Sequence, residues 1–208
     1  LIDINAGIAA GANAISLTGN TFELVSTGAD IATTNTLTLD ANANNIAIGQ
    51  ASGGGATITD AELAQITAAT LEFNTTSTAV LGAITNGNTG TIDSLVVDVA
   101  GAITTSGVNV IDKAVTLESD AGITLSHNFS SRDSSITFNA ATDGLGVFTV
   151  DAGIDVLSGT NAAQNTDDIS ITASDVSIGA TASVNAAGGV ADVTITAPNA
   201  INIVTSGG

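Results

Sequence analysis

The chain has 208 residues and a formal net charge of −18, with 20 acidic side chains set against two basic ones, Lys113 and Arg132. It contains no Cys, Met, Trp or Tyr, only five Phe and a single Pro, and its mean hydropathy is +0.44. This excludes a nucleic-acid footprint, a disulfide framework and thiol chemistry; the hydropathy argues against disorder, and no run approaches the ~18 apolar residues of a membrane-spanning helix.

Along the chain one unit keeps returning: a short strand, a small-residue corner and a second short strand. Leu37 and Leu39 lead to Ile46 and Ile48, and Val115 and Leu117 lead to Ile123 and Leu125. Phe148 and Val150 lead to Ile154 and Val156, and Val193 and Ile195 lead to Ile201 and Ile203. Apolar residues at i and i+2 fall on one face of a pleat. A unit this small cannot bury that face alone, so units must stack, which predicts a solenoid. The fold expected is all-β: a parallel β-helix with about 20–24 residues per coil, spanning 1–208 as a single segment that is a mature fragment or an excerpt of a longer chain. A β-sandwich subunit that donates a strand to its neighbour is the alternative. Evenly recurring corners and the scarcity of aromatics count against it.

One marker per coil sets the period. Leu37, Ile58, Leu71, Leu95, Val115, Ile136, Phe148, Ile169 and Val193 give mostly intervals of 20 to 24 residues. The intervals before Leu71 and Phe148 are shorter, as extra strands or a change of winding would produce. Ten coils at ~4.8 Å would make a rod of roughly 50 Å. The expected core is Leu37, Leu39, Ile58, Leu71, Phe73, Val115, Leu117, Ile123, Ile136, Phe138, Ile154, Ile169, Ile171, Val193, Ile195 and Ile201. Residues 52–55, 86–88 and 186–189 read as loops leaving the rod. Residues 60–66 read as one or two helical turns, with Asp60 placed to cap them, or equally as a polar turn.

No catalytic, cofactor-binding or metal-binding residue is assigned, and no enzymatic activity is expected. Parallel β-helices can house polysaccharide lyases and hydrolases, and Lys113, Arg132 and His127, with Asp112 and Asp133, are the one place where a base, a cation and carboxylates could meet on adjacent coils. A 21-residue register would set Asp112 against Asp133, whereas a one-residue bulge would create inter-coil ion pairs. Structural use of these charges is the stronger reading. His127 reads as a surface residue. No cofactor is expected; loosely held calcium is the one alternative, with Asp151, Asp155, Asp167 and Asp168 as the closest acid pairs, but no calcium-loop motif is present. Thr57–Thr59 and Thr194–Thr196 carry the Thr-x-Thr pattern that an ice-binding face repeats, but the pattern does not recur on every coil, which counts against such a face.

The stretch 57–71 (TITDAELAQITAATL) resembles a segment common in filamentous-haemagglutinin-like exoproteins, and units such as 195–204 (ITAPNAINIV) are similar to that family's repeats. The resemblance implies a right-handed parallel β-helix in a secreted bacterial surface protein, exported by two-partner secretion and serving adhesion or aggregation. No Asn-Pro-Asn-Gly-Ile type export motif and no Arg-Gly-Asp tripeptide accompany it, and the one proline is Pro198. The functional expectation is therefore a structural, non-enzymatic adhesin segment acting as a stiff rod, outside the cell or on its surface. Its alternative is a self-associating extracellular filament subunit. The cell or glycan ligand is not identified, and neither nucleic acid nor a membrane span is expected.

Overall fold

The computed structural model describes residues 1–4, 6–24, 31–51, 55–132, 134–159, 167–187 and 191–204. Its strands pair in parallel throughout and stack into a β-solenoid of about eight coils. The longest side holds Ile15–Thr18, Thr36–Asp40, Ile66–Thr75, Ile92–Val99, Ala114–Ser119, Ile136–Asn139, Ile169–Thr172 and Val193–Thr196. Two inward columns run through them in register. One passes through Ile15, Leu37, Leu71, Leu95, Val115, Ile136, Ile169 and Val193. The other, two residues further on, passes through Leu17, Leu39, Phe73, Val97, Leu117, Phe138, Ile171 and Ile195. Alternation along each strand thus becomes continuous apolar stacking across coils.

A second side carries Ile46–Ile48, Ala79–Leu81, Ile103–Thr105, Gly122–Leu125, Val147–Val150, Asp175–Ile178 and Ala200–Ile203. The third side changes along the rod. Its early strands are Ile8–Gly11 and Ile31–Thr33, which pairs with the start of Ile66–Thr75. Its later strands are Asn109–Ile111, Phe129–Ser131, Asp155–Ser158 and Ser183–Ala186.

Register corrects two of the coil markers. Leu37 pairs with Leu71, not Ile58, and Ile136 pairs with Ile169, not Phe148. Ile58 and Phe148 belong to the second side, where they pair with Ile48 and Ile123. Two coils are therefore long, with register steps of 34 and 33 residues. The same chain consequently yields eight coils rather than ten, and at ~4.8 Å per strand the stack is about 35 Å long.

The 34-residue coil contains a reversal. After Ile46–Ile48 the chain returns to lay Ala56–Ile58 against the flank of that strand facing the start of the rod, beside Phe22–Leu24. Helix Asp60–Leu63 follows. Its N-cap is Thr59, not Asp60, because Thr59 and Glu62 form a reciprocal capping box. Glu62 also accepts from the Leu24 amide at 3.1 Å, tying the helix to the earlier coil. Asp60 is left to accept from Thr85 and Asn88.

The other long coil brings three phenylalanines into one layer. Phe129, Phe138 and Phe148 come from the three sides and are fully buried. Their ring centroids lie 5.6 Å (129 to 138) and 4.9 Å (138 to 148) apart. Smaller residues lie above and below: Phe129 is stacked between Asn109 and Val156, and Phe148 between Ile123 and Val176.

Burial matches the expected core except at Ile154 and near the last coil. Val193 is 39% and Ile201 50% exposed, while Ile195 and Ile154 are only partly buried. Val193, Ile195 and Ile201 lie on the last described strands, where nothing described stacks on their far flank. Ile154 sits in a corner just before Asp155–Ser158.

Corners are closed by buried hydroxyls at or next to a strand end. Ser119 donates to the carbonyls of Gly101 and Gly122 and accepts from the amides of Ala121 and Gly122. Thr75 donates to Asn42 and Asn44, Thr33 to Gly11 and Asn13, and Ser174 to Leu145 and Gly146. Ser119→Ala should cost about 2 kcal/mol, because it strands buried backbone groups. Urea unfolding of the two proteins measures this difference.

Of the expected loops, 86–88 forms a short 3₁₀ turn, Asn86–Asn88. Residues 52–54, 188 and 189 lie outside the described residues.

Candidate functional site

The outward positions of the longest side are the surface with the most organised chemistry. One column reads Thr38, Glu72, Val96, Thr116, Thr137, Ser170 and Thr194. Its neighbour reads Asp40, Asn74, Asp98, Glu118, Asn139, Thr172 and Thr196. The strands fold this way because their inward partners are aliphatic or aromatic and the pleat sends the intervening residue outward. The result is a polar face that is acidic toward the start of the rod and hydroxyl-rich toward its end. A second hydroxyl column, Thr104, Thr124, Thr149 and Ser177, follows the second side.

In the acidic half Thr38 donates to Glu72 at 2.9 Å. Asp98 stands between Asn74 and Glu118 in register, with Glu72 and Asp120 close enough to act on it. Partial loss of hydration, then repulsion from Glu72 and Asp120, raises the Asp98 carboxyl above the usual carboxylate range. A carboxyl raised on folding stabilises the folded state while protonated, and that benefit is lost as pH climbs through its folded value. Asp98→Asn should therefore raise the urea midpoint at neutral pH. The gain should vanish once the pH falls below the ordinary carboxylate value of 3.8. Paired unfolding curves at neutral and strongly acidic pH check both halves.

Arg132 reaches Asp112 across the coils at 3.5 Å, both partly exposed. The pairing arises because Ile111 is in register with Ser131 while Val115 is in register with Ile136, so the later corner carries one extra residue. Asp133 lies outside the described residues. His127 turns Nδ1 toward the Thr105 carbonyl at 3.2 Å, and its amide donates to the Thr105 hydroxyl. Lys113 contributes its carbonyl to Ser131. The arrangement binds coil to coil.

Three of the four calcium-candidate carboxylates accept separate hydrogen bonds. Asp151 accepts from Ser126, Asp155 from Ser183 and Asp168 from the Asp192 amide. Among the described residues, no group of three or more His, Asp or Glu could hold a metal ion. A shallow groove of about 200 Å³ on the third side is lined by Ala9, Gly11, Ala32, Thr33, Thr34 and Thr67, none of them charged.

Thr57 and Thr59 do not form a hydroxyl pair on one face, since Thr57 lies in a strand and Thr59 caps the helix. Thr194 and Thr196 do form one, and it continues into Ser170 with Thr172 and Thr137 with Asn139. Searching for Thr-x-Thr missed this array because its members vary among Thr, Ser and Asn. Outward parity combined with register is the signal that finds it.

No family model matches the chain, and no curated protein or solved structure matches it. Among the described residues, no helix is long and apolar enough to cross a membrane.

Proposed function

We propose that this chain is a structural, non-enzymatic length of a secreted cell-surface adhesin or appendage, acting as a stiff rod that carries binding surfaces away from the cell. The observation that supports this most is the pair of inward columns running in register through every coil of the longest side. Each coil is clamped to the next by backbone ladders and by aliphatic contact, which makes bending expensive. The resemblance of residues 57–71 to filamentous-haemagglutinin-like exoproteins adds the adhesive, extracellular setting. The flanking polar columns keep such a rod hydrated, and the net charge of −18 opposes lateral association of neighbouring rods.

A second reading is a filament subunit that adds end to end. It rests on the parallel stacking of every described coil, a pattern that a second copy of the chain would continue. Electron microscopy of the purified chain, with its mass measured in solution, separates the two. Discrete monomeric rods about 35 Å long support the shaft reading. Long unbranched filaments transfer the function to assembly. Turnover of uronate polymers that Arg132→Ala abolishes would overturn both in favour of a polysaccharide enzyme.

A further inference from the structure

The turn Asn86–Asn88 joins Ala79–Leu81 to Ile92–Val99 and interrupts the third side. Asn86 is the one asparagine in the chain that is followed by glycine. Its side chain makes no hydrogen bond among the described residues, although it is only half-buried. The Gly87 amide likewise donates to no acceptor among them. Gly87 is exposed, and a Cβ built on it would meet nothing within 4 Å. An electrophilic side-chain amide and an unshielded backbone nitrogen therefore sit side by side in a three-residue turn.

Few of the bonds that hold the turn lie within it. Its own bonds are Asn88 to Thr85 at 3.1 Å and Thr89 to Asn86 at 3.3 Å, and Thr85 provides no side-chain cap. The remaining brace comes from Asp60, which accepts from the Thr85 amide at 2.9 Å, the Thr85 hydroxyl at 2.8 Å and the Asn88 side chain at 2.8 Å. Short 3₁₀ segments of this kind open readily and so reach the extended backbone that ring closure requires.

We propose that Asn86–Gly87 is a modification site, at which the rod undergoes spontaneous deamidation and gains a carboxylate with age. The Gly87 nitrogen gives up its proton to solvent base and attacks the Asn86 Cγ. The new N–Cγ bond closes a five-membered imide as the Cγ–Nδ2 bond breaks, and the leaving nitrogen takes a proton from solvent and departs as ammonia. Water then opens either carbonyl of the imide, leaving aspartate or isoaspartate. No oxidant or reductant takes part.

The local consequence is electrostatic and geometric. The new negative charge enters the turn that the Asp60 carboxylate holds, and the isoaspartate form adds a methylene to the main chain between Thr85 and Asn88. Both changes pull the turn away from Asp60 and loosen the link between helix Asp60–Leu63 and the following coil. The other asparagines precede residues bearing side chains, which shield the attacking nitrogen.

The test is to hold the full chain in mildly alkaline buffer at physiological temperature and map its peptides by mass spectrometry over time. The expected result is a gain of one mass unit at Asn86 ahead of every other asparagine, with both aspartate and isoaspartate formed. Gly87→Ala, which the open space accommodates, should slow that gain many-fold while leaving the circular dichroism unchanged. An intact Asn86 while other asparagines react would overturn the proposal. So would a rate at Asn86 that Gly87→Ala leaves untouched.

Discussion

Phe138→Ala should lower the stability of the rod by about 3–5 kcal/mol, the largest single-residue loss expected here. The side chain is fully buried and touches the rings of both Phe129 and Phe148, so its removal opens a void at the centre of the aromatic layer. The layers above and below cannot collapse into that void, because Leu117 and Ile171 are fixed in register with Phe138 by backbone pairing on both flanks. Phe138→Leu should cost distinctly less, since it restores much of the lost volume. Denaturant unfolding followed by circular dichroism compares the variants, and near-equal midpoints for Phe138→Ala and the parent would contradict the packing described.

Gly146→Ala is the second, with an expected cost of about 3 kcal/mol. A methyl group at this position would drive into the Ala140 carbonyl and lie 3.0 Å from the Gly122 nitrogen, all of it main chain. Backbone cannot turn aside as a side chain does. The Gly146 carbonyl also receives the Ser174 amide and hydroxyl, so displacing it disturbs the next coil as well. Gly144→Ala provides the contrast. It has open space around it and a φ of +87°, so only conformational strain opposes the substitution. Thermal unfolding of the two variants should rank Gly146→Ala as the more damaging.

Much of the fold was legible from residue pattern. The alternation at Leu37, Val115 and Val193 carried both strand and facing, because the period of two is a local property of the pleat. Coil length was harder to read. Ile58 and Phe148 carry the same alternation as Leu71 and Ile136, and nothing local tells which side of a coil a strand occupies. That is decided by corner geometry and by which neighbour is free to pair. Ser119 and Thr75 were missed as corner closures for a related reason. A hydroxyl at an inward position looks like an ordinary polar residue until the preceding coil brings its carbonyls within reach. The Arg132–Asp112 pairing depended on a single extra residue, which spacing alone left open as one of two alternatives.

The reversal at Ala56–Ile58 bears on the order in which the rod is built. In a strictly progressive solenoid each new coil pairs with one already formed, so the growing end of a nascent chain always meets a finished template. Here Ile46–Ile48 leaves a synthesising ribosome before Ala56–Ile58, the strand that lies on its earlier flank. That platform is incomplete until Glu62 has also emerged to secure Leu24. The coils that follow, from Ile66 onward, have no such debt to later sequence. Completion of the opening coils is thereby coupled to sequence that follows them, whereas each coil from Ile66 onward adds to one already in place.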